Sequence, residues 1–275
     1  MNASPNSGKS SPRALSIQAR KSILKMAHDA KSSHVASALS VVDILAVLYS
    51  GSAKISPDNL TAPDRDFVIL SKGHAAAALY SILALQGFIR MEELETYCQN
   101  GAALGGHVTV TRNNGVELST GSLGHGLPYG VGLALSQIKN KFNSRTFIVM
   151  SDGECDEGTT WEAALQAQHF GLSHLTVVID RNKLQSIGNT EETIALEPLA
   201  DKWKSFNWEV RVVDGHNHHD LHEAMKVSDK PLCIIANTTK GKGVSFMENL
   251  NLWHYKPPSD DDLAKAMAEL EASKK

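Results

Sequence analysis

Residues 147 to 158 read FIVMSDGECDEG, an apolar run followed by Ser-Asp-Gly and by four acids, Asp152, Glu154, Asp156 and Glu157, within six positions. Carboxylates crowded this closely repel one another, so the pattern points to a positive partner. A second turn follows LTVVID, where Asp180, Arg181 and Asn182 close another apolar run. Asn182 lies 182 − 152 = 30 residues after Asp152, about one βαβ unit. If the two strands are neighbours, Asp152 and Asn182 meet. A carboxylate and an amide oxygen at strand ends are hard ligands of the kind that Mg2+ or Ca2+ takes, with further oxygens from water or a phosphate. Gly153 permits close backbone approach, and a helix starting near Asp156 would turn its N-terminus toward an anion. Either residue alone reads equally well as a turn former, since Asx side chains favour turns; the pair at this spacing suggests a site.

Twelve histidines are many for this length, and several stand in Gly- or Ser-rich turns: His34 in SSHVAS, His74 in SKGHAAAALYSIL and His107 in GGHVT. Imidazoles there could move protons near neutral pH. The cluster DGHNHHDLHEA (214–224) reads as a solvated helix start capped by Asn217 or Asp220 rather than as a metal site, because no carboxylate pattern backs His218 and His222. Lys240 and Lys242 in TTKGKG are either phosphate contacts or an ordinary basic turn. GSLGHG is no dinucleotide fingerprint, since no clear strand precedes it and no acid follows about twenty residues on.

These residues need elements to position them. The 275 residues, 42% hydrophobic, suffice for a sizeable core. A net charge of −3, with acids and bases interspersed, gives no sign of a nucleic-acid or membrane surface. No run approaches a membrane span, and the three scattered cysteines, Cys98, Cys155 and Cys233, imply neither disulfides nor a cysteine-ligated zinc, so a cytoplasmic setting is expected. The first 15 residues read as a disordered tail. Leu15, Ala19, Ile23 and Met26 mark a first helix, VVDILAVLYSG a second ended by Gly51, HAAAALYSILALQGF a third, and MEELETYCQN a shorter one. The Gly-rich stretch from Asn100 to Leu127 is too long for a plain connection and is expected to be functional. Beyond it, helices at 128–139, about 157–170, near 196–205 and 219–227 alternate with the strands TFIVM, LTVVID, WEVRVV and PLCIIA, after an earlier strand FVIL. Continuously apolar strands between helices imply an α/β, doubly wound parallel sheet with helices on both faces, with ligands outside the carboxyl ends of its strands. The Asp-rich start of SDDDLAKAMAELEASKK opens a C-terminal helix over 259–275, expected to be a surface or partner-docking element.

With the motifs in place, the chain resembles the transketolases. Asp152-Gly153 followed by Asn182 resembles the thiamine diphosphate signature Gly-Asp-Gly…Asn, with Ser151 where the first Gly is usual. SSHVAS, SKGH, GGHVT and TGSLGHGLPYGVGLA occur in the family's order and at roughly its intervals. TTKGKGVSFMEN followed by WHYK looks like the end of the cofactor-binding domain in transketolases split into two chains. The likeness runs from about residue 16 to 258. It implies a thiamine diphosphate-binding fold in which Asp152, the side-chain oxygen of Asn182 and the carbonyl of Leu184 hold Mg2+, or Ca2+ or Mn2+ in its place. It implies that His74 and Gly153 contact the diphosphate, with Glu154 and Lys242 among the cofactor-binding residues, and that Gly121, Ser122 and Leu123 hold the aminopyrimidine. The catalytic set it implies is His34, His74, His107, His254 and Glu157, the last at the interface that connects two cofactors.

The resemblance further implies an N-terminal subunit of a two-chain transketolase, moving a two-carbon ketol unit from a ketose or ketose phosphate to an aldose. Activity would require a separate C-terminal subunit carrying the pyrimidine-binding and C-terminal domains, in an α2β2 assembly, with neither nucleic acid nor membrane as partner. Related alternatives are a 2-oxoacid dehydrogenase E1 component, a 1-deoxyxylulose 5-phosphate synthase-like enzyme or a non-catalytic cofactor-binding partner. Three departures from the family pattern stand toward the substrate side: SSHVAS for SGHPG, SIGN (186–189) where Asp-Gly is usual, and Tyr255 where Gly is common. The last is expected to displace His254.

Overall fold

The structure, a computed structural model, describes residues 10–111 and 114–273. In chain order it comprises α1 (Pro12–Asp29), α2 (Val35–Val47), β1 (Phe67–Leu70), α3 (Ala76–Leu85), α4 (Gly126–Lys139), β2 (Thr146–Ser151), α5 (Gly158–His169), β3 (Leu175–Arg181), α6 (Thr190–Thr193), α7 (Leu199–Ser205), β4 (Glu209–Asp214), α8 (His218–Ala224), β5 (Leu232–Asn237) and α9 (Asp260–Ala272). The five strands form one parallel sheet in the order β1-β2-β3-β5-β4. Every residue of β2 and β3 is buried, which explains their unbroken apolar reading; β4, at the edge, is half exposed and more polar.

Successive strand side chains feed two cores. Val68, Leu70, Phe147, Val149, Val178 and Ile234 pack with α1, α2, α3 and α8, whereas Ile69, Ile148, Met150, Val177, Ile179 and Cys233 pack with α4, α5 and α7. The doubly wound expectation therefore holds. The registers pair Ser151 with Asp180 and Asp180 with Ala236, so the turns after β2, β3 and β5 leave the sheet side by side.

Several local expectations change. α1 starts at Pro12, within the stretch assigned to the tail, because the Ser11 hydroxyl accepts the Ala14 N–H at 3.2 Å and proline suits the first helical position; residues 1–9 lie outside the described ones. Met91–Thr96 forms a 3₁₀ turn, not an α-helix. The helix near 196–205 is the shorter α7, preceded by the separate single turn α6. Val35–Ser52, read as too short for a membrane span, is apolar and long enough for one; 89% of that stretch is buried, so its apolarity is that of a core helix. α9, capped by Ser259, docks on its own chain: Ala266 and Leu270 are buried, Lys21 pairs with Glu271, and His28 meets Asp260 at 2.7 Å.

Candidate active site

At the carboxyl ends of β1, β2 and β3 lies a cavity of about 300 Å³. Its walls come from the segments the sequence motifs mark: His34 before α2; Lys72 and His74 after β1; His107, Gly121 and Leu123 from the Gly-rich stretch; Asp152, Gly153 and Glu157 after β2; Asn182 and Leu184 after β3; and His254 with Tyr255. The Gly-rich stretch has neither helix nor strand among its described residues before α4 and serves to carry ring and backbone into the site. Its residues Arg112 and Asn113 lie outside the described ones.

The floor is built from buried charge. Lys72 and Asp180, at 1% and 0% side-chain exposure, form an ion pair, and Asp180 also accepts from Ser40 Oγ at 2.6 Å and from Thr238. Burial pushes the Asp180 carboxyl up, but the Lys72 charge and these hydrogen bonds outweigh it and hold it below the ordinary range. Beside it, Asp152 Oδ2 accepts the Lys183 N–H at 2.7 Å and Arg181 Nη1 at 3.1 Å. The two turns thus meet, with Asp152 bonded to the residues on either side of Asn182 and Asn182 beside it in the same cavity wall. Burial raises the Asp152 carboxyl despite Arg181. The other oxygen, Oδ1, accepts the adjacent Gly153 N–H at 2.9 Å. Asn182 Oδ1 accepts the Leu184 N–H at 3.1 Å, while its amide nitrogen faces Asp180.

Four imidazoles form the roof. The His34 ring centroid lies 5.3 Å from that of His74, 5.8 Å from His107 and 4.9 Å from His254. Burial, then the neighbouring His107, Lys240 and Lys72, lowers His34 to about 4. Burial and Lys240 lower His254 to about 3, and burial with Lys72 holds His74 well below its ordinary value. Burial and the neighbouring lysines thus favour the neutral form of all three rings. His254 is not displaced by Tyr255: it is 7% exposed, receives a hydrogen bond from Lys240 Nζ at Nδ1 (2.8 Å) and stacks on His74. Tyr255 packs its ring edge on His254 at 4.8 Å and is largely exposed at the mouth.

Three expected cofactor contacts fall elsewhere. Glu154 is fully buried behind the turn, accepting from Ser71 Oγ at 2.5 Å, Gly124 N at 3.0 Å and Ser151 N at 2.9 Å, so it ties three loops together instead of facing the cavity. Ser122 is exposed and its hydroxyl lies 3.3 Å from His125 Nδ1. Lys242 pairs with Glu248 at 3.5 Å and borders a separate cleft. Its neighbour Lys240 turns inward instead, 1% exposed, donating to the carbonyls of Leu184 (3.0 Å) and Gln185 (3.2 Å) as well as to His254. Burial lowers its ammonium to about 8. Sequence reasoning gave no role to Lys72 or Asp180; the signal was a charge inside or beside an apolar strand, SKGH and VID, where an unpaired ion would be costly.

The residues present fit an anionic, metal-assisted cofactor. Lys240 has hydrogen-bond acceptors but no carboxylate partner, so positive charge stands behind the wall. Inside the site, His34 Nδ1 and Asp156 Oδ1 are buried without a hydrogen-bond partner among the described residues. Among the described residues no group of three or more His, Cys, Asp or Glu could hold a metal. A hard ion at Asp152 would therefore draw on the Asn182 amide and Leu184 carbonyl oxygens and on oxygens from its ligand.

Comparison with known proteins agrees with the fold and motifs. Residues 13–274 match the family described as transketolase, thiamine diphosphate binding domain. The chain is 38% identical over 255 residues to one subunit of the apulose-4-phosphate transketolase of Phocaeicola vulgatus, covering 91% of this chain and 90% of that one. It is 41% identical over 242 residues to a 6-deoxy-6-sulfo-D-fructose transketolase subunit of a Clostridium species, covering 86% and 88%. The transketolase structure from Campylobacter jejuni superposes with a TM-score of 0.86 at 28% identity over 98% of this chain; the chain spans 43% of that protein's length. The parallel sheet, the cavity at its carboxyl edge and these matches together show that the chain belongs to the transketolase family, as its thiamine diphosphate-binding domain.

Proposed function

We propose that this chain is the N-terminal subunit of a two-chain transketolase, which transfers a two-carbon ketol unit from a ketose to an aldose only when joined by a separate C-terminal subunit. The observation that carries the reading is the convergence of His34, His74, His107 and His254 over the Asp152–Asn182 floor in one cavity. Relatives of nearly the same length are named as single subunits of a transketolase, which supports a separate partner chain; an α2β2 assembly is the arrangement proposed for the pair. Their names also support ketoses bearing a phosphate or sulfo group as the substrate class. Three free cysteines are consistent with a cytoplasmic setting.

Asp152, the Asn182 amide oxygen and the Leu184 carbonyl would hold Mg2+ together with the diphosphate, whose charge the Lys240 ammonium behind the wall would help to balance. Thiamine diphosphate, when bound, supplies the electron sink that cleavage of a carbon–carbon bond beside a carbonyl requires and that no side chain here offers. His34, kept neutral by burial, accepts and returns protons at substrate hydroxyls as a positioned general base does, whereas His254, whose Nδ1 accepts from Lys240, presents its Nε2–H as a donor. His107, exposed at the mouth, orients the same hydroxyls. Tyr255 narrows the entrance.

Asp152→Ala removes the single carboxylate of the proposed ion site. In the assembled enzyme it is expected to weaken thiamine diphosphate binding in the presence of Mg2+ by roughly tenfold or more, read by calorimetry. Wild-type affinity in that variant would overturn the assignment of the ion site.

A further inference from the structure

The histidine-rich turn after β4 is not the solvated helix start its sequence suggests. Asn217 does cap α8, accepting from His219 and Asp220 N–H. The rings beside it, however, point inward: His216 Nδ1 lies 2.7 Å from Asp43 Oδ2 and His218 Nε2 lies 2.8 Å from Asp43 Oδ1. Arg20 grips the same carboxylate through Nη1 at 3.2 Å and Nη2 at 2.6 Å. Asp43, in the middle of α2, is 3% exposed. Burial pushes its carboxyl up, but the Arg20 charge and the hydrogen bonds from both rings outweigh that and hold it well below the usual range. A carboxylate this buried and this fully partnered fixes whatever its partners hold.

Those partners reach the segment that carries Lys240, from both sides. His216 Nε2 accepts the Thr239 N–H at 2.8 Å, so Nδ1 must bear the proton that His216 donates to Asp43. Arg20 Nε donates to the Lys242 carbonyl at 2.9 Å. One carboxylate on α2 thus sets, through two side chains, the backbone one residue before Lys240 and two residues after it. Lys240 in turn ends on the Leu184 and Gln185 carbonyls and on His254, all part of the cavity wall.

We propose that Asp43, acting through His216 and Arg20, positions Lys240 and thereby the cofactor-facing wall formed by Leu184, Gln185 and His254. The inference rests on reading that cavity as the thiamine diphosphate site. His216 and His218 provide its test, because each donates to the same carboxylate but only His216 also holds the Lys240 segment. In the assembled enzyme, titrated with thiamine diphosphate and Mg2+ by calorimetry, His216→Ala is expected to raise the Kd roughly tenfold or more, whereas His218→Ala stays within about twofold of wild type. His216→Gln, whose amide keeps one donor and one acceptor, is expected to recover part of the loss. Should His216→Ala fail to fold, judged by circular dichroism, His216→Phe, which keeps the ring's bulk but neither donor nor acceptor, takes its place in the same comparison with His218→Ala. Equal Kd changes at the two histidines, or no change at His216, overturn the positioning role. A wild-type assembly that takes up no thiamine diphosphate overturns the functional reading instead.

Discussion

His34, His74 and His254 stand within a few ångströms of one another and of two lysines, and that crowding sets their chemistry. A charged imidazole there would face both burial and like charge, so each ring stays neutral where an exposed histidine would be half protonated. The same fact has a consequence for stability. His34 falls from an ordinary value of 6.5 to about 4 on folding, so between those values the unfolded chain binds the proton and the folded chain does not. Stability contributed by the neutral rings is complete above 6.5 and is lost as pH falls toward 4. Urea midpoints of the cofactor-free chain should drop across this window, and the drop should be smaller in a His34→Gln, His254→Gln double variant. An equally steep decline in both proteins would place the titrating groups elsewhere. At this scale the sequence showed which types of residue gather but not always where they point. Asp152 and Asn182 were legible because two neighbouring parallel strands leave little freedom in where their ends lie. Glu154 was not, because Ser71 and Gly124, both remote in sequence, turn its carboxylate away from the cavity. Lys240 and Lys242 differ by two positions, and only the fold of TTKGKG, with Gly241 at φ 80° and Gly243 at φ 94°, decides which faces inward.

Elements place these groups through close approaches between loops. The turn after β1 lies so near the Gly-rich stretch that a Cβ on Gly73 would stand 2.3 Å from the Thr120 carbonyl oxygen. Backbone cannot yield as a side-chain tip does, so Gly73→Ala is expected to cost about 1–3 kcal/mol. It should also shift Lys72 away from Asp180 and His74 away from the His34 ring. Chemical denaturation checks the first expectation, and wild-type stability with wild-type cofactor affinity in that variant would contradict the close packing. The alternation of helices and strands was readable from periodicity, since β2 and β3 are apolar throughout and bounded by turns. The position of β4 outside β5 was not readable as an order, although its polar residues, Glu209, Arg211 and Asp214, are those of an edge strand. The meaning of the DGHNHHDLHEA cluster depended on packing, because the Asp43 that engages its histidines lies on α2 and is separated from His216 by 173 residues.

At the level of the whole molecule, one sheet brings Asp152, Asn182, a group of imidazoles and buried lysines to a single edge, and the chain spans 43% of the length of the Campylobacter transketolase. Under the proposed function, Asp152, Asn182 and Leu184 face a metal diphosphate and the rings face a sugar. On the proposed reading, the remaining walls come from a second subunit, as the names of the similar transketolase subunits suggest. The most direct test measures ketol transfer by the purified chain with a ketose phosphate donor, an aldose acceptor, thiamine diphosphate and Mg2+, with and without the C-terminal subunit. No turnover by either chain alone and sustained turnover by the mixture is the predicted result; robust turnover by this chain alone, or none by the mixture, would contradict it.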